Sequence, residues 1–121
     1  WRSFLSELAP ARVHWLHCVS AYPTPLGEAN IACVAPLGGY SDHTRSLISG
    51  AIAVAYGATT IEKHFRLVTT TPACADYDHS LTPQRLTEYI RNIRDAEELI
   101  GDGVKRVMPS EERNVQYLVR P

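Results

Sequence analysis

The stretch "LGGYSDHTRSLISGAIAVAYGATTIEKHF", residues 37–65, carries the pattern of a strand, a helix and a second strand. "LGGYSD" is a short strand candidate, and the helical spacing begins at Thr44 and ends at Gly57, where a left-handed cap belongs. The apolar residues that recur at three- and four-residue steps are Leu47, Ile48, Ala51, Ile52 and Ala55. The β-branched run at 58–68 then predicts a strand, so this stretch predicts a βαβ unit with parallel strands.

The flanking segments extend this pattern. Residues 12–20, "RVHWLHCVS", predict another strand, buried on both faces, and a turn-rich loop with two prolines follows at 21–30. After a polar loop at 69–81, Thr82 and Pro83 mark the start of a helix that ends at Gly101. Its predicted apolar stripe consists of Leu86, Ile90, Ile93 and Ile100. Residues 1–10 have the spacing of a helix end.

The fold class predicted from these elements is α/β, with about three parallel strands and covering helices. The 121 residues, 45% of them hydrophobic, suit a single domain, predicted at 1–105, with an irregular tail at 106–121. The net charge of −1 and the scattered basic residues speak against nucleic-acid binding. No apolar run approaches the roughly 18 residues of a membrane span. Three cysteines without Cys-x-x-Cys spacing indicate a reducing cytoplasm rather than a disulfide framework.

Two histidines are predicted to meet at the sheet edge. Side chains two apart on a strand share a face, so Ser41 and His43 face one way on their strand and Glu62 and His64 on theirs. Neighbouring strands lie about 4.8 Å apart, so His43 and His64 could share one cation such as Mn, Fe, Co or Zn. A nearby carboxylate, from Asp42, Glu62 or Asp76, would shift the preference towards harder ions.

Each of these residues also has a purely structural interpretation. A histidine at the end of a strand is more often a hydrogen-bonded structural residue than a ligand, and Glu62 could pair with a buried Arg or Lys. His14 and His17 are expected to pack or hydrogen bond within the first strand. Polar residues of the 69–81 loop, namely Asp76, Asp78 and His79, are expected to be solvated.

Four ordered motifs add a family resemblance. They are "HCVSAYPTP" at 17–25, "GYSDHT" at 39–44, "IEKHF" at 61–65 and "DYDHSLTP" at 76–83. In this order they resemble the N-acetylneuraminate (sialic acid) synthase family and its legionaminate and pseudaminate relatives, over most of the chain. The resemblance implies the C-terminal part of a (βα)8 barrel, with roughly its last three strands.

The resemblance also implies a reaction and roles for individual residues. The family condenses phosphoenolpyruvate with N-acetylmannosamine or a related hexosamine to a nine-carbon 2-keto sugar acid, using a divalent metal, usually Mn²⁺. It makes His43 and His64 the metal ligands and catalytic residues, and Glu62 a catalytic acid/base or hydroxyl-binding group. Ser41 would hold phosphoenolpyruvate, while Ser20, Tyr22 and Asp76 would contact the sugar.

Departures from the family pattern lead to further expectations. Residues 26–38 form a connection close to the minimum of about 10 to 12 residues for a crossover, so most of its helix is expected to be lost. The strands that supply lysines to phosphoenolpyruvate are not in the chain, so the open sheet edges are expected to be covered by a missing N-terminal part of a longer parent or by a second copy of the chain. A homo-oligomer, a dimer, is predicted. Two alternatives remain open: a non-catalytic oligomerising module, and another metal hydrolase in which Asp42 or Asp76 joins the two histidines.

Overall fold

A computed structural model describes residues 13–118 of the chain, so the predicted helix end at 1–10 lies outside the described residues. The regular structure of these described residues consists of two strands, β1 (Gly39–Asp42) and β2 (Thr60–Lys63), and three helices, α1 (Ser49–Ala55), α2 (Pro83–Ile100) and α3 (Glu112–Leu118). Single 3₁₀ turns lie at Leu26–Glu28, Ile31–Val34 and Pro109–Glu111. The predicted α/β class is confirmed.

The two strands pair in parallel, with Gly39 opposite Thr60 and Asp42 opposite Lys63. The sheet continues at single positions on either side, through parallel bridges between His17 and Tyr40 and between Phe65 and Leu81. The predicted strand at 12–20 is therefore too long, because its described residues, 13–20, form a single bridge to the sheet. Only His17 pairs with β1, donating its N–H to the Gly39 carbonyl at 2.8 Å and accepting from the Ser41 N–H at 2.9 Å.

The connection from the first bridge to β1 contains no α-helix, as expected from its length. Its two 3₁₀ turns, Leu26–Glu28 and Ile31–Val34, replace the crossover helix. The second turn buries Val34 against Tyr40 and Ala53, and these three side chains form the core cluster between turn, sheet and α1. A single 3₁₀ turn therefore provides the apolar cover of β1 that a longer crossover would provide with a helix.

Helix α1 starts five residues later than the apolar spacing predicts. Between Thr44 and Ser49 two backbone N–H groups donate hydrogen bonds to side-chain hydroxyls. The Ser46 N–H donates to Thr44 Oγ1 and the Ile48 N–H donates to Ser46 Oγ, both at 3.1 Å. Such local bonds compete with helix formation. The end is as predicted, because Gly57 has a φ of 90°.

Helix α2 has the predicted bounds. Thr82 Oγ1 accepts a hydrogen bond from the Arg85 N–H at 3.4 Å, and the helix stops before Gly101, whose φ is 61°. Its packing differs from the predicted stripe, because Ile90 is 46% exposed while Tyr89 is only 2% exposed. The segment predicted as an irregular tail contains α3. No helix within residues 13–118 is long and apolar enough to cross a membrane.

The contact between α1 and α2 depends on a glycine. A Cβ on Gly50 would lie 2.6 Å from the Tyr89 hydroxyl oxygen and 2.8 Å from Ile93 Cδ1. We expect Gly50→Ala to lower the free energy of unfolding by ~1–3 kcal/mol, the usual range for overpacking, measured by urea denaturation. Gly27→Ala is the matched control, since no atom of the described part of the chain lies within 4 Å of its Cβ position. Equal denaturation midpoints for the two variants would contradict this account of the contact.

Candidate active site

The ends of β1 and β2 bring the predicted polar side chains together. Ser41 and Glu62 are register partners, and the Ser41 hydroxyl donates to Glu62 Oε1 at 2.9 Å. One step beyond the strands the His43 and His64 rings lie 5.5 Å apart, centre to centre, at an angle of 67°. The two imidazoles therefore meet, as the alternation of side chains predicts.

The surroundings of His43 fix the state of its ring. His43 is 5% exposed, and its Nδ1 lies 2.9 Å from the Val19 carbonyl oxygen. A carbonyl can only accept, so Nδ1 carries a proton, and in the neutral imidazole Nε2 then carries the lone pair. Nε2 lies 3.2 Å from Ser41 Oγ, but the Ser41 hydroxyl already donates its single proton in the hydrogen bond to Glu62. The His43 lone pair is therefore available to a cation, with the ring oriented by its backbone partner.

His43, Glu62 and His64 together fit a divalent cation. Each offers one ligand atom, and the three atoms all lie within 4.8 Å of one another. Two imidazole nitrogens and one carboxylate oxygen suit Mn²⁺, Fe²⁺, Co²⁺ or Zn²⁺. Glu62 is exposed, and within residues 13–118 it forms no ion pair with an Arg or Lys, so the salt-bridge interpretation finds no support there.

Asp42 is not part of this cluster, so its prediction as a nearby carboxylate is wrong. It points to the opposite face of the sheet, because successive strand residues alternate. There its carboxylate lies 3.1 Å from Lys63 Nζ and accepts hydrogen bonds from the Ser49 hydroxyl at 2.5 Å and the Tyr89 hydroxyl at 2.8 Å. The Asp42 and Lys63 side chains are only 0% and 4% exposed. They form a buried ion pair between the sheet and α2.

Opposing effects set the pKa values of this pair. Burial alone would raise the pKa of the Asp42 carboxyl, but the Ser49 hydrogen bond and the Lys63 charge outweigh it and hold the pKa below the ordinary 3.8. Burial lowers the pKa of Lys63 below its ordinary 10.5, although Asp42 opposes that shift. The carboxylate is thus ionised at neutral pH and balanced by one buried ammonium group.

Tyr22 covers the histidine cluster from the solvent side. Its ring centre lies 4.3 Å from that of His43 and 6.3 Å from that of His64, and Tyr22 remains 55% exposed. Ser20 is exposed two residues earlier. The segment after the first bridge therefore places an aromatic ring beside the imidazoles, tilted by 38° to His43 and edge-on to His64, while the structure shows no contact of Ser20 with them.

The loop before α2 contributes two more groups, one of them missed by the sequence interpretation. Asp76, 53% exposed at its side chain, lies 3.5 Å from His64 Nδ1 through Oδ2 and 3.5 Å from His79 Nε2 through Oδ1. His79, expected to be solvated, is 1% exposed, with its ring centre 4.6 Å from that of His64. Burial, followed by the nearby His64, lowers the pKa of His79 below its ordinary 6.5.

Arginine contacts fix the shape of this loop. Arg66 donates through one guanidinium nitrogen to the carbonyl oxygens of Tyr77 and Ser80, the latter at 2.7 Å, and its guanidinium lies 3.9 Å from the Tyr77 ring centre. The Ser80 hydroxyl donates to the Asp76 carbonyl at 2.6 Å. These bonds turn Asp76 and His79 towards β2.

The remaining histidines are structural or exposed. His17 Nε2 lies 2.9 Å from the Ala29 carbonyl oxygen, so the predicted hydrogen-bonding role is confirmed. His14 is exposed. Within the described residues, His43, His64 and His79 are thus the three imidazoles that share one site.

Comparison with known proteins supports a common origin with sugar-acid synthases. Residues 3–105 match the NeuB family. The N,N'-diacetyllegionaminic acid synthase of Campylobacter jejuni is 39% identical over 110 residues, which are 85% of this chain and 33% of that protein. The N-acetylneuraminate-9-phosphate synthase of Mus musculus is 33% identical over 106 residues, 80% of this chain and 29% of its own length.

Solved structures agree with the sequence matches. The crystal structure of a sialic acid synthetase from Leptospira borgpetersenii, in complex with citrate, superposes with a TM-score of 0.69 at 32% identity, covering 84% of this chain and 38% of that one. The chain spans about a third of the length of the curated relatives it matches. Because the family match covers most of the sequence and the fold agrees, the chain belongs to the NeuB family.

Proposed function

We propose that this chain carries the cation-binding part of a sugar-acid synthase site. The reaction is the condensation of phosphoenolpyruvate, a hexosamine such as N-acetylmannosamine and water to a nine-carbon 2-keto sugar acid and phosphate. The observation that carries the proposal is the convergence of His43, Glu62 and His64, whose ring nitrogens and carboxylate oxygen all lie within 4.8 Å of one another. The synthase names of the relatives from Campylobacter jejuni and Mus musculus support the reaction class.

His43 and His64 are the proposed protein ligands of a divalent cation, for which we propose Mn²⁺. When bound, such an ion acts as a Lewis acid that polarises a carbonyl oxygen, here the aldehyde of the open-chain sugar. His43 presents Nε2 for this purpose because its Nδ1 is committed to the Val19 carbonyl. The buried backbone contact keeps the ring oriented before any ligand arrives.

Glu62 is the proposed acid/base group. Its carboxylate is exposed at the rim of the sheet and accepts a hydrogen bond from the Ser41 hydroxyl, which holds it in one position beside the two imidazoles. A carboxylate in that place can exchange a proton with a substrate hydroxyl or bind that hydroxyl directly. Ser41 is the proposed contact for phosphoenolpyruvate, since its hydroxyl lies between Glu62 and His43.

Sugar contacts are proposed for Tyr22, Asp76 and Ser20. The half-exposed Tyr22 ring offers an apolar face above His43. Asp76 has an exposed carboxylate on the other side of His64, where it can accept hydrogen bonds from sugar hydroxyls. Ser20 follows as part of the same segment as Tyr22.

Phosphate release tests the reaction. With phosphoenolpyruvate, N-acetylmannosamine and Mn²⁺, we expect release that requires both substrates, and a decrease of ~100-fold or more in Glu62→Gln, the usual loss for an acid/base group. Glu98→Gln, an exposed position on α2, is the matched control and should keep the parent rate. Release that is unchanged in Glu62→Gln would overturn the role given to this residue.

The second candidate is the non-catalytic module, which the open edges of the two-stranded sheet within residues 13–118 favour. Cation binding without any phosphate release would favour it. A metal hydrolase using Asp42 is not retained, since Asp42 is buried on the opposite face. Phosphate release without the sugar would favour a hydrolase based on the two histidines.

We also propose a cytoplasmic dimer. Cys18, Cys33 and Cys74 are all exposed as free thiols, which suits a reducing compartment. The two-stranded sheet of residues 13–118 continues at its sides only through single bridges, so edge backbone is left for a second copy to cover.

A further inference from the structure

His79 is a buried side chain with unpaired polar atoms. It is 1% exposed, and neither Nδ1 nor Nε2 has a hydrogen-bond partner within residues 13–118. Buried polar groups in folded proteins are nearly always paired, and an unpaired one calls for a water, an ion or another specific cause. Among the described residues, the one carboxylate close to it is that of Asp76.

The distances around His79 match those of a cation site. Asp76 Oδ1 is 3.5 Å from His79 Nε2, and Asp76 Oδ2 is 3.5 Å from His64 Nδ1. Ligand atoms that share a tetrahedral ion at about 2.1 Å are themselves about 3.4 Å apart. One ligand atom from each of the three residues lies within 4.8 Å of the others, so a small movement of the rings brings all three to ligand distance.

We propose that His64, Asp76 and His79 form a second cation site, distinct from the set of His43, Glu62 and His64. Two imidazole nitrogens and one carboxylate oxygen make a donor set suited to Zn²⁺ or Co²⁺, with remaining positions open to water. The Asp76 side chain is 53% exposed, which gives an ion a path from solvent. The buried His79 supplies the ligand that has no other partner.

The two sites are alternatives because they share His64. A neutral imidazole carries one lone pair, so His64 serves one ion at a time. An ion in the second site withdraws His64 from His43 and also occupies the Asp76 carboxylate. The parent chain is therefore expected to bind one equivalent of cation. If the residues that belong to only one site are removed, the other site still binds the ion through His64.

Co²⁺ binding separates the two sites, measured by equilibrium dialysis together with the visible absorption of the bound ion. We expect one equivalent in the parent, in His43→Ala and in Asp76→Asn, with affinities within ~10-fold of one another and different spectra for the two variants. The double variant His43→Ala/Asp76→Asn is expected to bind at least ~100-fold more weakly. His64→Ala should behave like the double variant.

The role of His79 is tested by His79→Phe in the His43→Ala background. Phenylalanine fills the buried space without a ligand atom, and circular dichroism verifies that the variant is folded. This variant should lose Co²⁺ binding; if it binds like His43→Ala alone, His79 is not a ligand and the proposal fails. Loss of all Co²⁺ in His43→Ala alone overturns the second site but leaves the proposed synthase site intact. Retention of Co²⁺ in His64→Ala overturns both.

Discussion

Replacing both His43 and His64 with alanine is expected to abolish Mn²⁺ binding, with a loss of affinity of at least ~100-fold. The physical reason is that the two rings supply both neutral nitrogens of the first set, and His64 is also part of the second. Glu62 would remain as an exposed carboxylate without an imidazole beside it, and Asp76 would keep only the single imidazole of His79. Electron paramagnetic resonance of free Mn²⁺ during a titration measures the bound fraction directly.

The matched control for that variant is His14→Ala. His14 is exposed and lies before the first bridge, so its loss should leave Mn²⁺ affinity unchanged. If the double variant bound Mn²⁺ as tightly as the parent, His43 and His64 would not be cation ligands, and the proposed synthase site would be wrong.

Asp42→Asn is expected to lower the free energy of unfolding by ~3–5 kcal/mol, the usual effect of removing one partner of a buried ion pair. Asparagine has nearly the same size, so the loss comes from leaving the Lys63 ammonium, 4% exposed at its side chain, without a counter-charge. Typical domains have free energies of unfolding of about 5–15 kcal/mol, so this ion pair accounts for a large fraction of the expected stability. Urea denaturation followed by circular dichroism gives the value.

Two comparisons show whether charge is the cause. Asp102→Asn removes an exposed pair with Arg106 and should leave the urea midpoint unchanged. In the parent, the stability from the depressed Asp42 pKa is fully present above pH 3.8 and is lost as the pH falls through the lower folded value. Asp42→Asn should lack this acid-dependent component. If Asp42→Asn kept the parent's acid dependence, its loss of stability would come from changed packing and not from the lost charge.

The convergence of the histidines could be predicted because strand alternation is a local rule. Ser41 and His43 share a face on one chain segment, as do Glu62 and His64 on the next, and parallel pairing places both pairs at the same rim. The same rule, applied to Asp42, also predicts that it points away from them. Only the identity of its partners, Ser49 and Tyr89 from two helices, required the three-dimensional structure.

His79 could not be found in this way because loops have no period. Its position depends on Arg66, which bonds to the Tyr77 and Ser80 carbonyls and so shapes the loop around it. The late start of α1 has a similar cause, since the hydroxyls of Thr44 and Ser46 compete for amides that the apolar spacing assigns to a helix. In both places side-chain to backbone bonds decide the conformation, and hydrophobic patterns do not report them.

Because side chains alternate along β1 and β2, one residue contributes to the stability of the fold and the next residue contributes to the cation site. In "DH" at 42–43 and "KH" at 63–64, the first residue belongs to the buried ion pair and the second to the cation cluster. In a saturation library, changes at 42 and 63 would deplete the soluble fraction, whereas changes at 43 and 64 would accumulate as soluble protein without bound ion. Sorting first by solubility and then by ion content would thus separate neighbours in the sequence into two phenotypes.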